Sequence, residues 1–129
     1  MRALGLAVLA ALLGCDRGAE RAPAAPQEAL REWVRCSLDG VEPTADVAQL
    51  EGALRQGLRR DRVNLVVRGG RCEDSLGLGA ATHPCLAPLK TRWVQFLTVA
   101  QRPGADAIAL DMAVRHVGER YDAARRHCP

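Results

Sequence analysis

Short sequence signatures of several enzyme and cofactor classes are missing from this chain. It contains no Cys-x-x-Cys pair and no Cys-x-x-Cys-His run, which excludes the usual patterns of paired-cysteine zinc sites and c-type haem attachment. The motifs Gly-x-Ser-x-Gly, His-Glu-x-x-His and Gly-Lys-Ser/Thr are absent as well, so the usual signatures of serine hydrolases, zinc peptidases and P-loop proteins are excluded too. No other set of titratable residues has a recognisable catalytic spacing. We therefore predict that the chain is not an enzyme, and we assign it no cofactor and no metal.

Charge of one sign and aromatic side chains are both scarce. The formal net charge is only +3, from 18 basic and 15 acidic residues, which gives no reason to expect a nucleic-acid partner. Aromatic residues make up 3% of the chain and are Trp33, Trp93, Phe96 and Tyr121. Three of them lie on apolar stripes with helical spacing, which predicts packing in a core. A ligand pocket lined by aromatic side chains is the alternative.

Only one long apolar run is present, and it lies at the start of the chain, in residues 3–13. It is too short to cross a hydrocarbon core as a helix, which takes about 20 residues. Its length fits the apolar part of a secretory signal, which has roughly 7–15 residues. The run ends in Leu12-Leu13-Gly14-Cys15. This ending resembles the lipobox of bacterial lipoproteins.

The lipoprotein resemblance implies that residues 1–14 are a signal peptide, cleaved before Cys15 once diacylglycerol has been attached to its sulfur. Several acyl chains hold a protein firmly on a bilayer, whereas a single chain binds reversibly. The chain is therefore expected to be a lipid-anchored protein of the bacterial cell envelope, with its domain in the periplasm or at the cell surface. Asp16 resembles the inner-membrane retention signal of enteric bacteria, but inner and outer membrane both stay open.

The rest of the chain divides into a tether and one domain. Residues 15–26 consist of the lipidated cysteine followed by small, charged and proline-punctuated residues, a composition typical of a flexible linker. Residues 27–129 have the length of a single domain of ordinary size.

The cysteine count follows from the anchor. With Cys15 assigned to lipid, an even number remains: Cys36, Cys72, Cys85 and Cys128. In an oxidising compartment four cysteines predict two disulfides, and three pairings are possible. We favour Cys36–Cys128 together with Cys72–Cys85, because the second pair closes a local ring. A plain up-down-up-down bundle would instead pair Cys128 with Cys72 or Cys85.

A zinc site is the alternative use of these thiols. His83 lies two residues before Cys85, and His127 adjoins Cys128, so thiols and imidazoles are close in sequence. Zinc needs four such ligands converging as a tetrahedron. Free thiols are oxidised in an exported protein, so we favour the disulfides.

The spacing of apolar residues predicts helices throughout the domain. The predicted helices are residues 28–37, a second helix capped by Thr44 with the stripe Val47, Leu50, Leu54 and Leu58, a third from Pro84 or Pro88, and a last with the stripe Leu110, Val114, Val117, Tyr121, Ala124 and Cys128. The predicted fold class is all-α, a small four-helix bundle-like domain with two disulfides.

The segment 63–67 is ambiguous, because its β-branched residues could form a strand. A lone strand would have no partner in this domain. We favour continuation of the second helix as far as Arg68, with Gly69-Gly70 as its stop.

Arg55, Arg59 and Arg62 lie close together on the predicted second helix. They could form a basic face that meets anionic headgroups or an acidic partner, or simply a solvated face. With no catalytic signature, the favoured function is a non-catalytic binding or assembly module for another envelope protein. A small-ligand-binding lipoprotein with a pocket between helices is the alternative.

Overall fold

A computed structural model describes residues 25–77 and 82–129, and these fold into helices joined by turns. The helices are α1 (Pro26–Ser37), α2 (Val47–Arg60), α3 (Arg62–Cys72), α4 (Ala87–Gln101) and α5 (Ala107–His127), with a short 3-10 helix (Glu73–Leu76) after α3. The predicted all-α, bundle-like domain with two disulfides is confirmed. The predictions for the signal peptide, for Cys15 and for the tether up to residue 24 lie outside the described residues.

The core is built around the aromatic residues, as the stripes predicted. Trp33, Trp93, Phe96 and Tyr121 are all fully buried. The Trp33 and Trp93 rings meet edge to face with centroids 5.0 Å apart, and Phe96 stacks on Trp93 at 5.3 Å. Aromatic pairs in these geometries stabilise a core by about 0.5–1.5 kcal/mol beyond the area they bury.

The predicted second helix is interrupted, which corrects the sequence interpretation. Segment 63–67 is helical as expected, but it belongs to a separate helix that begins after a break at Asp61. The Asp61 carboxylate accepts a hydrogen bond from the Asn64 amide at 3.1 Å, while the Asp61 amide still donates to the Gly57 carbonyl. Asp61 thus ends α2 and caps α3, which is the usual role of an aspartate at a helix start.

Gly69 and Gly70 do not stop the helix, which continues to Cys72. Gly69 is a packing residue instead. A Cβ at this position would lie 2.7 Å from the Trp93 ring and 2.8 Å from Leu97, and the Trp93 indole N–H donates to the Gly69 carbonyl at 3.1 Å. The glycine therefore lets the backbone of α3 approach α4 closely.

The favoured disulfide pairing is wrong. The structure joins Cys36 to Cys72, with Cα atoms 5.6 Å apart, and Cys85 to Cys128, with Cα atoms 5.7 Å apart. The break before α3 adds one more helix than predicted, and α3 returns along α1. Its last residue, Cys72, therefore lies beside Cys36, and the predicted Cys72–Cys85 ring cannot form. Arg68 holds the same contact by donating to the Cys36 carbonyl at 2.7 Å.

The two ends of the described chain meet at the C-terminal end of α5. The Gln27 side-chain amide donates to the carbonyls of Ala124 (3.1 Å), Arg125 (3.2 Å) and Cys128 (2.8 Å). Arg125 is in the last turn of α5 and Cys128 directly follows the helix, where carbonyls have no partner within the helix, whereas the Ala124 carbonyl also accepts from the Cys128 amide at 3.0 Å. Gln27 thus caps α5 and fixes the point at which the chain enters the domain.

Candidate interaction surface

The three arginines considered as a possible basic face are placed in different surroundings. Arg55 forms ion pairs with Glu51 on its own helix (3.3 Å) and with Asp111 on α5 (2.9 Å). Arg59 and Arg62 are on separate helices and line two different depressions. The charge of Arg55 is therefore compensated within the fold, and the other two do not lie on one helix face.

A different surface is conspicuous for its exposed apolar side chains. Val63 and Ile108 are 74% and 75% exposed, and Val67, Val94 and Met112 are exposed as well. They come from α3, α4 and α5. Because a single exposed aliphatic residue is common, the question is whether these residues lie together.

The first group of them lines a groove between α3 and the turn that joins α4 to α5. Val63 and Val67 form one wall of this groove, and Ala100 and Pro103 lie on the other side. The groove encloses about 420 Å³.

A second groove runs between α4 and α5, which are antiparallel because the connection 102–106 is short. Val94 lies on its α4 side and Met112 on its α5 side, and its volume is about 410 Å³. Arg102 lines both grooves, so they adjoin each other. We call the two grooves together the apolar surface.

Arginine is the only permanently charged residue type on the apolar surface. Arg62 lines the first groove, Arg92 the second and Arg102 both, and no Asp or Glu of the described residues lines either one. Within the same part of the chain, none of the three forms an ion pair with a carboxylate. The surface thus combines aliphatic side chains with uncompensated positive charge.

The apolar surface lies far from the point where the chain enters the domain. Gln27 contacts the C-terminal end of α5, whereas Met112, which lines the second groove, lies in the first third of that helix. At a rise of 1.5 Å per residue, Met112 and Arg125 are about 20 Å apart along the helix. The described chain therefore begins at the end of the domain opposite the apolar surface.

Sequence reasoning did not identify the apolar surface. Met112 falls between the core positions Leu110 and Val114, so it faces away from the buried stripe. That offset was the available signal on α5. On α3 the signal was Val63, an aliphatic residue off the leucine stripe, but nothing in the sequence showed that the two helices share one surface.

A smaller, polar cleft of about 220 Å³ is bounded by α2, by α3 and by the segment that follows α1. Its lining includes the exposed Asp39 and the partly buried Arg68, which form an ion pair. The hydrogen bond from Arg68 is the main reason that the pKa of Asp39 is lowered. Ser37 also lines the cleft and is buried. The cleft is smaller than the roughly 300–1,000 Å³ of typical ligand pockets.

The thiols considered for zinc are used differently. Cys85 and Cys128, the neighbours of His83 and His127 in sequence, are joined to each other as a disulfide. In the part of the chain that the structure describes, no three His, Cys, Asp or Glu residues come together as a metal-binding group.

No protein-family model matches this sequence, and comparisons with curated proteins and with solved structures give no match either. Across residues 25–77 and 82–129, none of the helices is both long and apolar enough to cross a membrane. Function has to be inferred from the surface chemistry of the domain itself.

Proposed function

We propose that this chain is a lipid-anchored protein of the bacterial cell envelope whose helical domain binds another envelope protein through the apolar surface. The observation that supports binding is the grouping of exposed aliphatic side chains with uncompensated arginines in two adjoining grooves. Contiguous apolar patches are uncommon on monomeric soluble proteins and often mark interaction sites.

The titratable groups favour recognition over catalysis. Within the described residues, clear pKa shifts are found for Asp39 and Tyr121. The first is lowered by its hydrogen bond to Arg68, and the second is raised mainly by burial. Both shifts have a structural cause, and neither group lies on the apolar surface.

The position of the surface suits a protein held by its N-terminal end. Residues 16–25 could span at most about 35 Å when fully extended. They join the domain beside the C-terminal end of α5, so the apolar surface at the other end of α5 is the more distant from an N-terminal anchor. A partner can reach it without competing with the bilayer.

The anchor is tested by mass spectrometry of the mature N-terminus from membranes. We expect cleavage before Cys15 and the added mass of acyl chains. The Cys15→Ser variant should lose the acyl mass and leave the membrane fraction. An unmodified Cys15 in the membrane-bound wild-type protein would contradict the proposed anchor.

Binding is tested by photo-crosslinking in intact cells, with a photoreactive amino acid at Val63 or Met112, one exposed residue from each groove. A matched control carries it at Arg126, whose side chain is 70% exposed near the other end of α5. We expect adducts of one defined mass at the first two positions and none at the control. The same adducts at all three positions, or none at any, would contradict the proposal.

Small-ligand binding in the polar cleft is the second candidate. It is favoured by the Ser37 hydroxyl, which is buried and has no hydrogen-bond partner among the described residues. A screen of small polar metabolites by thermal shift tests it. We expect a genuine ligand to raise the Tm of the wild type and of the Arg92→Gln variant, but not that of the Arg68→Gln variant.

A further inference from the structure

We infer that the occupant of the apolar surface is an acidic amphipathic helix of a partner protein. This rests on the proposed binding function and names the chemistry of the partner. It follows from the shape of the groove between α4 and α5, from the charges that line it, and from the poor fit of the other occupants that could be considered.

The groove shape favours a helical occupant. Its α5 side is lined by Ala109, Met112, Ala113 and His116, which are spaced three, four and seven residues from the first and so form one straight ridge. The two alanines allow close approach of another helix, since helix axes pack 8–10 Å apart depending on the side chains between them. A third helix can therefore lie along this groove.

The other common modes of peptide recognition fit less well. Strand addition needs an exposed sheet edge, and the described residues contain no strand. Grooves that bind proline-rich peptides are lined by exposed aromatic rings, whereas here the aromatic lining residue, Phe96, is fully buried. Of strand addition, proline-rich recognition and helix docking, helix docking is the mode that fits this groove.

The charges of the groove favour acidic flanks on that helix. Arg92 and Arg102 both line the groove between α4 and α5, and they are about 15 Å apart along α4. A helix lying in the groove would meet them with carboxylates about three turns apart, beside its apolar stripe. Charge complementarity of this kind gives specificity and speeds association.

A second copy of this chain fits poorly. In a two-fold symmetric contact the same patch faces itself. That would bring the arginines of two copies together with no carboxylate between them, because none of the described acidic residues lines the grooves. An anionic bilayer matches the charge, but the surface is at the end of α5 opposite the point where the N-terminal segment enters.

The probe for the test is a displayed library of helical peptides with a fixed leucine stripe. Two positions, three turns apart beside the stripe, are varied among Glu, Gln and Lys. We expect selection on the full mature protein in detergent to enrich Glu over Lys by at least about tenfold at both positions. In the doubly reversed variant, Arg92→Glu with Arg102→Glu, the preference should change to Lys.

The controls separate this effect from misfolding and from general charge. Arg59→Glu reverses an exposed arginine outside the apolar surface and should leave the preference for Glu unchanged. Met112→Asp should reduce peptide capture at least about tenfold while circular dichroism stays helical. No enrichment of Glu, or the same enrichment in the doubly reversed variant, would overturn the inference.

Two further measurements decide between the other occupants. The first is binding to phosphatidylglycerol vesicles. If the wild-type protein binds them, the doubly reversed variant does not, and no peptide is enriched, then the surface contacts lipid and the inference is wrong. Dimerisation that Met112→Asp abolishes would also overturn it. If crosslinks at Val63 and Met112 form but Glu is not preferred, this inference fails while the proposed binding function stands.

Discussion

Replacing Gly69 by alanine is expected to destabilise the domain, whereas the same change at the next residue, Gly70, is expected to stabilise it. Both glycines are in α3, so both replacements remove the cost of glycine within a helix, which is about 0.8–1.0 kcal/mol in a helix interior. The gain in stability at Gly70 should be at the lower end of this range, because the helix ends two residues later.

The surroundings of the two Cβ positions differ completely. A Cβ on Gly70 has no atom within 4 Å, whereas one on Gly69 would be 2.7 Å from the Trp93 ring and 2.8 Å from Leu97. Trp93 is fully buried, so its ring cannot move without disturbing the core. Overpacking of this kind costs about 1–3 kcal/mol. Both variants gain the same stability from replacing glycine in a helix. The overpacking cost is therefore the expected difference between their free energies of unfolding.

Urea unfolding of Gly69→Ala, Gly70→Ala and the wild type under non-reducing conditions measures this difference directly. For a domain of this size it corresponds to a Tm difference of about 5–15 °C. If Gly69→Ala proves as stable as Gly70→Ala, then α3 does not approach α4 as closely as described, and the packing role assigned to Gly69 is refuted.

Three further outcomes can be measured on the same protein. Tyr121→Phe removes the 2.6 Å hydrogen bond to the Ala45 carbonyl and should cost about 1–2 kcal/mol at neutral pH. Burial raises the pKa of Tyr121 above its usual 10.0, so its contribution to the free energy of unfolding is full below pH 10. The stability advantage of the wild type over Tyr121→Phe should therefore shrink as the pH rises further, which urea unfolding at several pH values measures. Replacing Cys85 and Cys128 by serine opens a link spanning 43 residues and should lower the free energy of unfolding by about 4 kcal/mol, with the other disulfide still found by peptide mapping. Gln27→Glu should cost about 1–3 kcal/mol in thermal unfolding, because a carboxylate would face the carbonyls that end α5.

The helical class could be predicted because it depends on local periodicity. On α5 the stripe from Leu110 to Ala124 repeats at helical spacing, and the structure buries it. The break at Asp61 could not be predicted in the same way, because Leu58 and Leu65 are seven residues apart and keep the helical period across it. The Asp61 carboxylate, which accepts a hydrogen bond from the Asn64 amide, caps a second helix at this point, and two short helices form in place of one long one.

The disulfide pairing and the surroundings of Arg55 could not be predicted, and for the same reason. Whether Cys72 meets Cys36 or Cys85 depends on how many times the chain reverses, so one unpredicted break changed the pairing. Arg55 looked like a member of a charged row, but its partner Asp111 is 56 residues away in sequence. The apolar surface was missed because its residues come from three helices. Each of these features depends on contacts between distant segments, which periodicity does not report.

The disulfides close two consecutive stretches of chain, 36–72 and 85–128, and no covalent link other than the backbone joins them. Trp33 belongs to the first half of the domain and Trp93 to the second, and their rings meet in the core. A single cut between residues 77 and 82 would therefore yield two fragments that keep their own disulfides and associate only through non-covalent contacts. Such fragments are a natural starting point for a split reporter, in which reassembly of the tryptophan core signals that two envelope proteins are close together.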